Sequence, residues 1–215
     1  HIFIDGLSGM ALGLFATLIV GTIITQAGSL IGGIAGHYLV IFGKHAQALT
    51  GAGIGVGVAY KYKESPLVTI SAAVAGLVGA FASKIIAGTV LVDGVITLAG
   101  PGEPLGAFIA AFVAVTCGHI ISGKTKIDIL ITPVTTILTG SIVGIIVGPP
   151  ISEFMIKLGE LINWGTAQQP LLMGIIVSVL MGMILTLPIS SAALGIILNL
   201  SGIAAGAATI GCCCN

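Results

Sequence analysis

The run Ile129-Leu130-Ile131-Thr132-Pro133-Val134-Thr135-Thr136-Ile137-Leu138-Thr139-Gly140-Ser141-Ile142-Val143-Gly144-Ile145-Ile146-Val147 carries no charged side chain. A helix crossing the hydrocarbon of a bilayer needs about 20 mostly apolar residues, and this run meets that need. The rest of the chain has the same character. Of 215 residues, 56% are hydrophobic and 7% charged, with mean hydropathy +1.21. A soluble domain carries about 25% charged residues because its surface faces water. Seven acids and seven lysines cannot coat a globule of this size, so lipid is the solvent for most of the surface. Arginine is absent and the lysines are scattered. No basic stripe or guanidinium fork offers itself to phosphates, so no nucleic-acid partner is expected.

Outward from that run, further apolar stretches follow one another. Upstream lie Ile2–Thr25, Gly28–Phe42, Ala46–Tyr60, a long stretch from Pro66 to Leu98 interrupted by Lys84 and Asp93, and Leu105–Ile121. Downstream lie Pro170–Leu187 and Ile189–Ile210, separated by Pro188. The expected fold is an all-α polytopic membrane protein with about seven transmembrane helices, forming a single transmembrane domain over 1–215. Gly148-Pro149-Pro150 should stop the helix that begins near Ile129. Gly100-Pro101-Gly102-Glu103-Pro104 breaks any helix, so 93–104 is expected to be a re-entrant or broken segment.

Ile151–Ile162 has a different pattern. Ile151, Phe154, Met155, Leu158, Leu161 and Ile162 fall on one helical face, and Ser152, Glu153, Lys157 and Glu160 on the other. Too short and too polar to span, it is expected to be an amphipathic helix at the membrane interface, with Trp164 in the aromatic belt. A loop helix packed on the spans is the alternative. Lys61/Lys63 and Lys124/Lys126 are the densest basic clusters and should both be cytoplasmic, with an even number of crossings between them.

Glycine supplies 33 residues. Many have small-xxx-small spacing, as in Gly9/Gly13, Gly32/Gly36, Gly140/Gly144/Gly148 and Gly202/Gly206. Helices in lipid pack closely through such faces, because apolar burial no longer drives association. Cys117 lies in an apolar run, and Cys212-Cys213-Cys214 lacks the spacing of a metal site or a disulfide framework. These cysteines are expected to pack, with lipidation or metal binding as alternatives. No metal or other cofactor is expected. The chain starts at His1 without a basic leader and stops directly after an apolar stretch, so it is expected to be truncated at both ends.

Ionisable groups at membrane depth are functional candidates. Asp5, Lys84, Asp93, Glu103, His37 and His119 qualify. Glu103 leads, because Gly102 and Pro104 hold its backbone out of helix, and such backbone at membrane depth must be covered by protein or a water cavity. A carboxylate there can accept two hydrogen bonds from a neutral polyol; an ordinary solvated turn is the other reading. Pro188 with Ser190 and Ser191 makes either a polar notch or a plain boundary between spans. His37 and His119 are lone histidines on apolar segments, serving packing or solute contact. No nucleotide loop, metalloprotease motif or catalytic domain is present.

Asp5-Gly6-Leu7-Ser8-Gly9-Met10-Ala11-Leu12-Gly13-Leu14-Phe15-Ala16-Thr17, Gly100–Ala107 and Leu187-Pro188-Ile189-Ser190-Ser191-Ala192-Ala193 resemble a bacterial family. It is membrane subunit IIC of the phosphoenolpyruvate-dependent sugar phosphotransferase system, including its perfringolysin-regulator-like members. The resemblance implies a multi-pass permease of the bacterial cytoplasmic (inner) membrane. It would act as a homodimer that translocates a sugar or related small solute, which separate soluble IIA and IIB phosphocarrier subunits phosphorylate. It also implies a solute-contacting glutamate in a Gly-x-x-Glu-type hairpin, which Glu103 matches loosely, and a histidine that no motif here identifies. The chain itself holds no catalytic residue. A secondary transporter or channel without phosphorylation, and a membrane-embedded sensor or regulator, are the competing readings.

Overall fold

The computed structural model describes residues 2–92, 95–98, 100–124, 127–185, 206, 207 and 210. Asp93, Lys126, Pro188, Ser190, Ser191, Gly202, Cys212–Cys214 and most of the stretch 189–210 lie outside the described residues. In chain order the elements are α1 (Ile2–Leu14), a π-helical turn (Phe15–Ile19), α2 (Val20–Ile31), α3 (Gly33–Ala48), α4 (Thr50–Lys61), α5 (Pro66–Ala80) and α6 (Ala82–Ile86). Then come strands β1 (Leu91–Val92) and β2 (Val95–Ile96), α7 (Pro104–Ile121), α8 (Asp128–Gln168) and α9 (Pro170–Leu185). Among the described residues the protein is all-α apart from that hairpin, in which Leu91 faces Ile96 and Val92 faces Val95. Among the described residues, Asp5–Ile31, Pro104–Ile121 and Asp128–Ile151 are long and apolar enough to cross a membrane. Pro66–Ala80 is a shorter apolar helix.

The contacts divide the chain into two units, His1–Pro149 and Pro150–Asn215. In the first, the opening helix runs past Thr25, where the sequence suggested an end, and continues to Ile31. The chain reverses at Gly32 and Gly33, with φ of 66° and 63°, a region open to glycine without steric cost. Gly32 is therefore a turn residue rather than part of a packing face with Gly36. The chain then returns along the same helix as α3 and α4, which only Leu49 separates. Gly28 faces Gly36, Gly21 faces Gly43, Gly13 faces Gly53, and Gly9 faces Gly57. A Cβ on Gly9 would lie 2.5 Å from the Gly57 carbonyl oxygen, so the two backbones touch. Gly28–Phe42 and Ala46–Tyr60, separate runs in the sequence, thus lie along one neighbour.

α4 also packs on α5 and α7, and these two pack on each other. Ile54, Val58, Ala59, Val68, Ala72, Ala75, Ala111 and Ala114 form a fully buried core between them. Small residues again set the approach: a Cβ on Gly106 would sit 2.7 Å from the Gly79 carbonyl oxygen. Close approach maximises dispersion contacts where lipid supplies no hydrophobic drive. Along α8, Thr132, Thr136, Gly140, Gly144 and Gly148 are buried at four-residue spacing. A Cβ on Gly140 would meet the Ala75 side chain at 2.8 Å.

α8 does not stop at Gly148-Pro149-Pro150. Each proline removes one donor and crowds the carbonyl four residues back. Ending the helix there would orphan up to four carbonyls, a larger cost in an apolar medium. Ile151–Ile162 is helical throughout, as its pattern requires, within α8. Phe154, Leu161 and Trp164 are exposed.

Candidate functional site

The apolar stretch from Pro66 to Leu98 is not one helix. α5 ends at Ala80, and Phe81 departs from helical geometry with φ −109° and ψ 16°. α6 lasts five residues before Gly88 takes φ 70°. After the β1–β2 hairpin, the glycine-proline segment brings the chain back to the end of α5. The Glu103 amide donates to the Ala80 carbonyl at 2.7 Å. Ala80 belongs to the last turn of α5, whose carbonyls lack helical partners, and Glu103 is the N-cap of α7, whose amide lacks one too. One hydrogen bond settles both ends. It also explains Gly102: φ is 70°, and a Cβ would lie 2.7 Å from the Ala80 carbonyl oxygen. Pro104 occupies the first turn of α7, where its missing N–H costs nothing and its φ suits the helix.

This arrangement presents the half-buried Glu103 carboxylate at the N-terminus of α7, where the helix dipole favours negative charge. The Ser83 hydroxyl donates to Glu103 Oε2 at 3.1 Å. Lys84 Nζ lies 5.3 Å from the centroid of the Phe81 ring, within range of a cation–π contact. An acceptor, a hydroxyl, an ammonium group and an aromatic ring thus gather where two helices break. Such a set can accept hydrogen bonds from a polyol. Sequence reasoning missed Ser83 and Phe81. The signal was Phe81-Ala82-Ser83-Lys84 itself, a polar interruption in an apolar stretch.

The other candidates lie elsewhere. His119 is in the last turn of α7, about 24 Å from Glu103 at 1.5 Å per residue. Its Nδ1 is 2.9 Å from Glu64 Oε1, between α4 and α5. Beside it, the Ser65 and Ser122 hydroxyls are 3.1 Å apart. Asp128 Oδ1 accepts from the Gly123 amide at 3.0 Å and from the Thr132 hydroxyl at 2.6 Å. Lys61, Lys63 and Lys124 therefore share one end of the bundle, the arrangement that an even number of crossings between the clusters demands. His37 is exposed on α3, edge-on to Tyr38 with ring centroids 6.2 Å apart. Glu103, with Gly102 and Pro104, thus stands apart from His119 and from His37, while Ser190 and Ser191 are outside the described residues. Cys117 is a free, half-buried thiol. Among the described residues, no group of three or more His, Cys, Asp and Glu side chains is placed to hold a metal ion.

The model of a protein family described as Phosphotransferase system, EIIC matches residues 4–215. No curated protein and no solved structure matches the chain.

Proposed function

The chain belongs to the phosphotransferase system EIIC family, and on that premise we propose that it translocates a sugar or related small solute past the Glu103 carboxylate. Membership makes it a membrane permease component that works with soluble components of the phosphotransferase system. In the proposed scheme, separate IIA and IIB subunits phosphorylate the solute, and a homodimer in the bacterial cytoplasmic membrane is the working form.

The observation that carries this reading is the Ser83–Glu103 contact of 3.1 Å at the joined ends of α5 and α7. Ser83 donates to one carboxylate oxygen, and in this scheme solute hydroxyls donate to the same carboxylate. Hydrogen bonds to a charged group contribute about 1.5–3 kcal/mol. Glu103→Gln should therefore weaken solute binding roughly 10- to 150-fold, without unfolding the protein. Glu153→Gln, at an exposed position of α8, should change nothing. Binding of a panel of sugars to purified protein, followed by phosphoenolpyruvate-dependent uptake in cells, tests the scheme. Wild-type binding and uptake by Glu103→Gln would remove the carboxylate from the site. Accumulation that needs no phosphoenolpyruvate would replace coupled transport with secondary transport.

A further inference from the structure

Lys61-Tyr62-Lys63-Glu64 looks self-neutralising in sequence, with one carboxylate beside two ammonium groups. The structure does not pair them. The Glu64 side chain is only 6% exposed and turns to His119, with 2.9 Å between Oε1 and Nδ1. The Lys61 and Lys63 side chains are exposed and have no ion-pair or hydrogen-bond partner among the described residues. Lys63 adopts φ 56°, the one positive φ at a non-glycine residue among those described. A side chain with a Cβ enters that region only against steric resistance. The chain thus accepts local strain at Lys63, just past the end of α4.

Between the end of α4 and the start of α5 lies a cavity of about 550 Å³, lined by Val56, Tyr60, Lys61, Lys63, Glu64 and Thr69. Its lining carries two ammonium groups and the Tyr60 hydroxyl as donors. Glu64 Oε1 faces His119 Nδ1 rather than either lysine. We propose that this cavity seats the phosphate of an anionic phospholipid, with Lys61 and Lys63 neutralising the phosphodiester and Tyr60 donating a third hydrogen bond. Basic pockets between membrane helices are suited to anionic head groups, and this one sits where α4 ends and α5 begins. A lipid is favoured over a free phosphate ion by what surrounds the mouth. Val56 on α4 is 42% exposed, and Ile70 on α5, next to the lining residue Thr69, is 66% exposed. That apolar margin suits an acyl chain and offers nothing to inorganic phosphate.

The test uses the full chain in nanodiscs of phosphatidylcholine, with and without phosphatidylglycerol, reading lipid retention by native mass spectrometry and the melting temperature. Wild type should retain phosphatidylglycerol and melt higher with it. Each lysine near an anionic surface contributes about a fivefold change in affinity, so Lys61→Gln/Lys63→Gln should bind roughly 25-fold more weakly. Lys61→Arg/Lys63→Arg should behave like wild type, and Lys44→Gln, on α3, should retain the lipid. Unchanged retention in the Lys61→Gln/Lys63→Gln protein would overturn the proposal. So would an equal loss in Lys44→Gln, which would mean a general surface potential. A third arm adds inorganic phosphate to pure phosphatidylcholine discs. Stabilisation there that depends on Lys61 and Lys63, with none from phosphatidylglycerol, would assign the cavity to a free phosphate and overturn the lipid.

Discussion

Glu64 Oε1 and His119 Nδ1 lie 2.9 Å apart, and this contact ties the loop after α4 to the last turn of α7. The carboxylate is buried while the ring is largely exposed, at 6% and 74%, so the two halves of the pair are not equivalent. Removing His119 strands a buried carboxylate. His119→Ala should cost about 1–3 kcal/mol, seen as a lower melting temperature in detergent. Adding Glu64→Ala should restore part of that loss, because an unpaired buried group costs more than an absent pair. A His119→Ala protein that melts like wild type would show that the contact contributes nothing to stability.

The junction of α5 and α7 makes a comparison between two glycines. Gly100 and Gly102 both have positive φ, 82° and 70°. A Cβ at Gly100 would meet nothing within 4 Å, whereas at Gly102 it would lie 2.7 Å from the Ala80 carbonyl oxygen. Gly100→Ala should cost the left-handed penalty alone, about 1–2 kcal/mol. Gly102→Ala should cost that plus roughly 1–3 kcal/mol of overpacking, and should weaken solute binding because Glu103 moves with the turn. Equal melting temperatures for the two variants would contradict the Ala80–Glu103 contact.

Tyr62 provides a pH dependence. Burial, and then the nearby charge of Asp5, push its phenol above the ordinary value of 10.0, against a lowering hydrogen bond with the Gly6 backbone. A folded-state pKa above the unfolded one means that the native protein holds the proton more tightly. That stabilisation is complete below about pH 10 and is lost as pH rises through the raised value. Melting temperatures measured from pH 8 to 11 should fall less steeply above pH 10 for Tyr62→Phe than for wild type. A steeper fall would reverse the sign of this argument.

Lys63 and Lys124 lie at the same end of the bundle. Single cysteines at these positions, in a background without native cysteines, should have equal access to an impermeant thiol reagent in intact cells. Both should be protected if that end is cytoplasmic, as the lysine distribution requires. Labelling at one position alone would break the pairing of α5 with α7.

The membrane character and the helical class follow from composition, since nothing except lipid could solvate so few charges. The break around Glu103 was legible because glycine and proline act locally. Helix ends were harder. Ile2–Thr25 and Gly28–Phe42 read as separate runs, yet Gly28 packs against Gly36 and the turn waits for Gly32. At Gly148-Pro149-Pro150 a rule from water failed, since a helix in an apolar medium loses more by stopping than by carrying two prolines. His119 and Glu103 were both visible as polar residues in apolar surroundings. Their separation was not, because it depends on the length of α7 rather than on either residue. Ser83 reaches Glu103 only through the hydrogen bond at Ala80, a pairing with no local sequence signature.

That hydrogen bond also sets an order of events during synthesis. The Gly9–Gly57 hairpin contains its own partners and can close as soon as α4 emerges. The Ala80 carbonyl cannot, because its donor is the Glu103 amide, 2.7 Å away in the finished protein. At roughly 5–20 residues per second, the ribosome delivers that donor on the order of one to five seconds later. A bare carbonyl in hydrocarbon costs several kcal/mol, so the end of α5 must keep a water molecule or linger near the head groups until α7 begins to appear. The two helices then settle together, and the segment from Phe81 to Gly102 acts as the delay line between them.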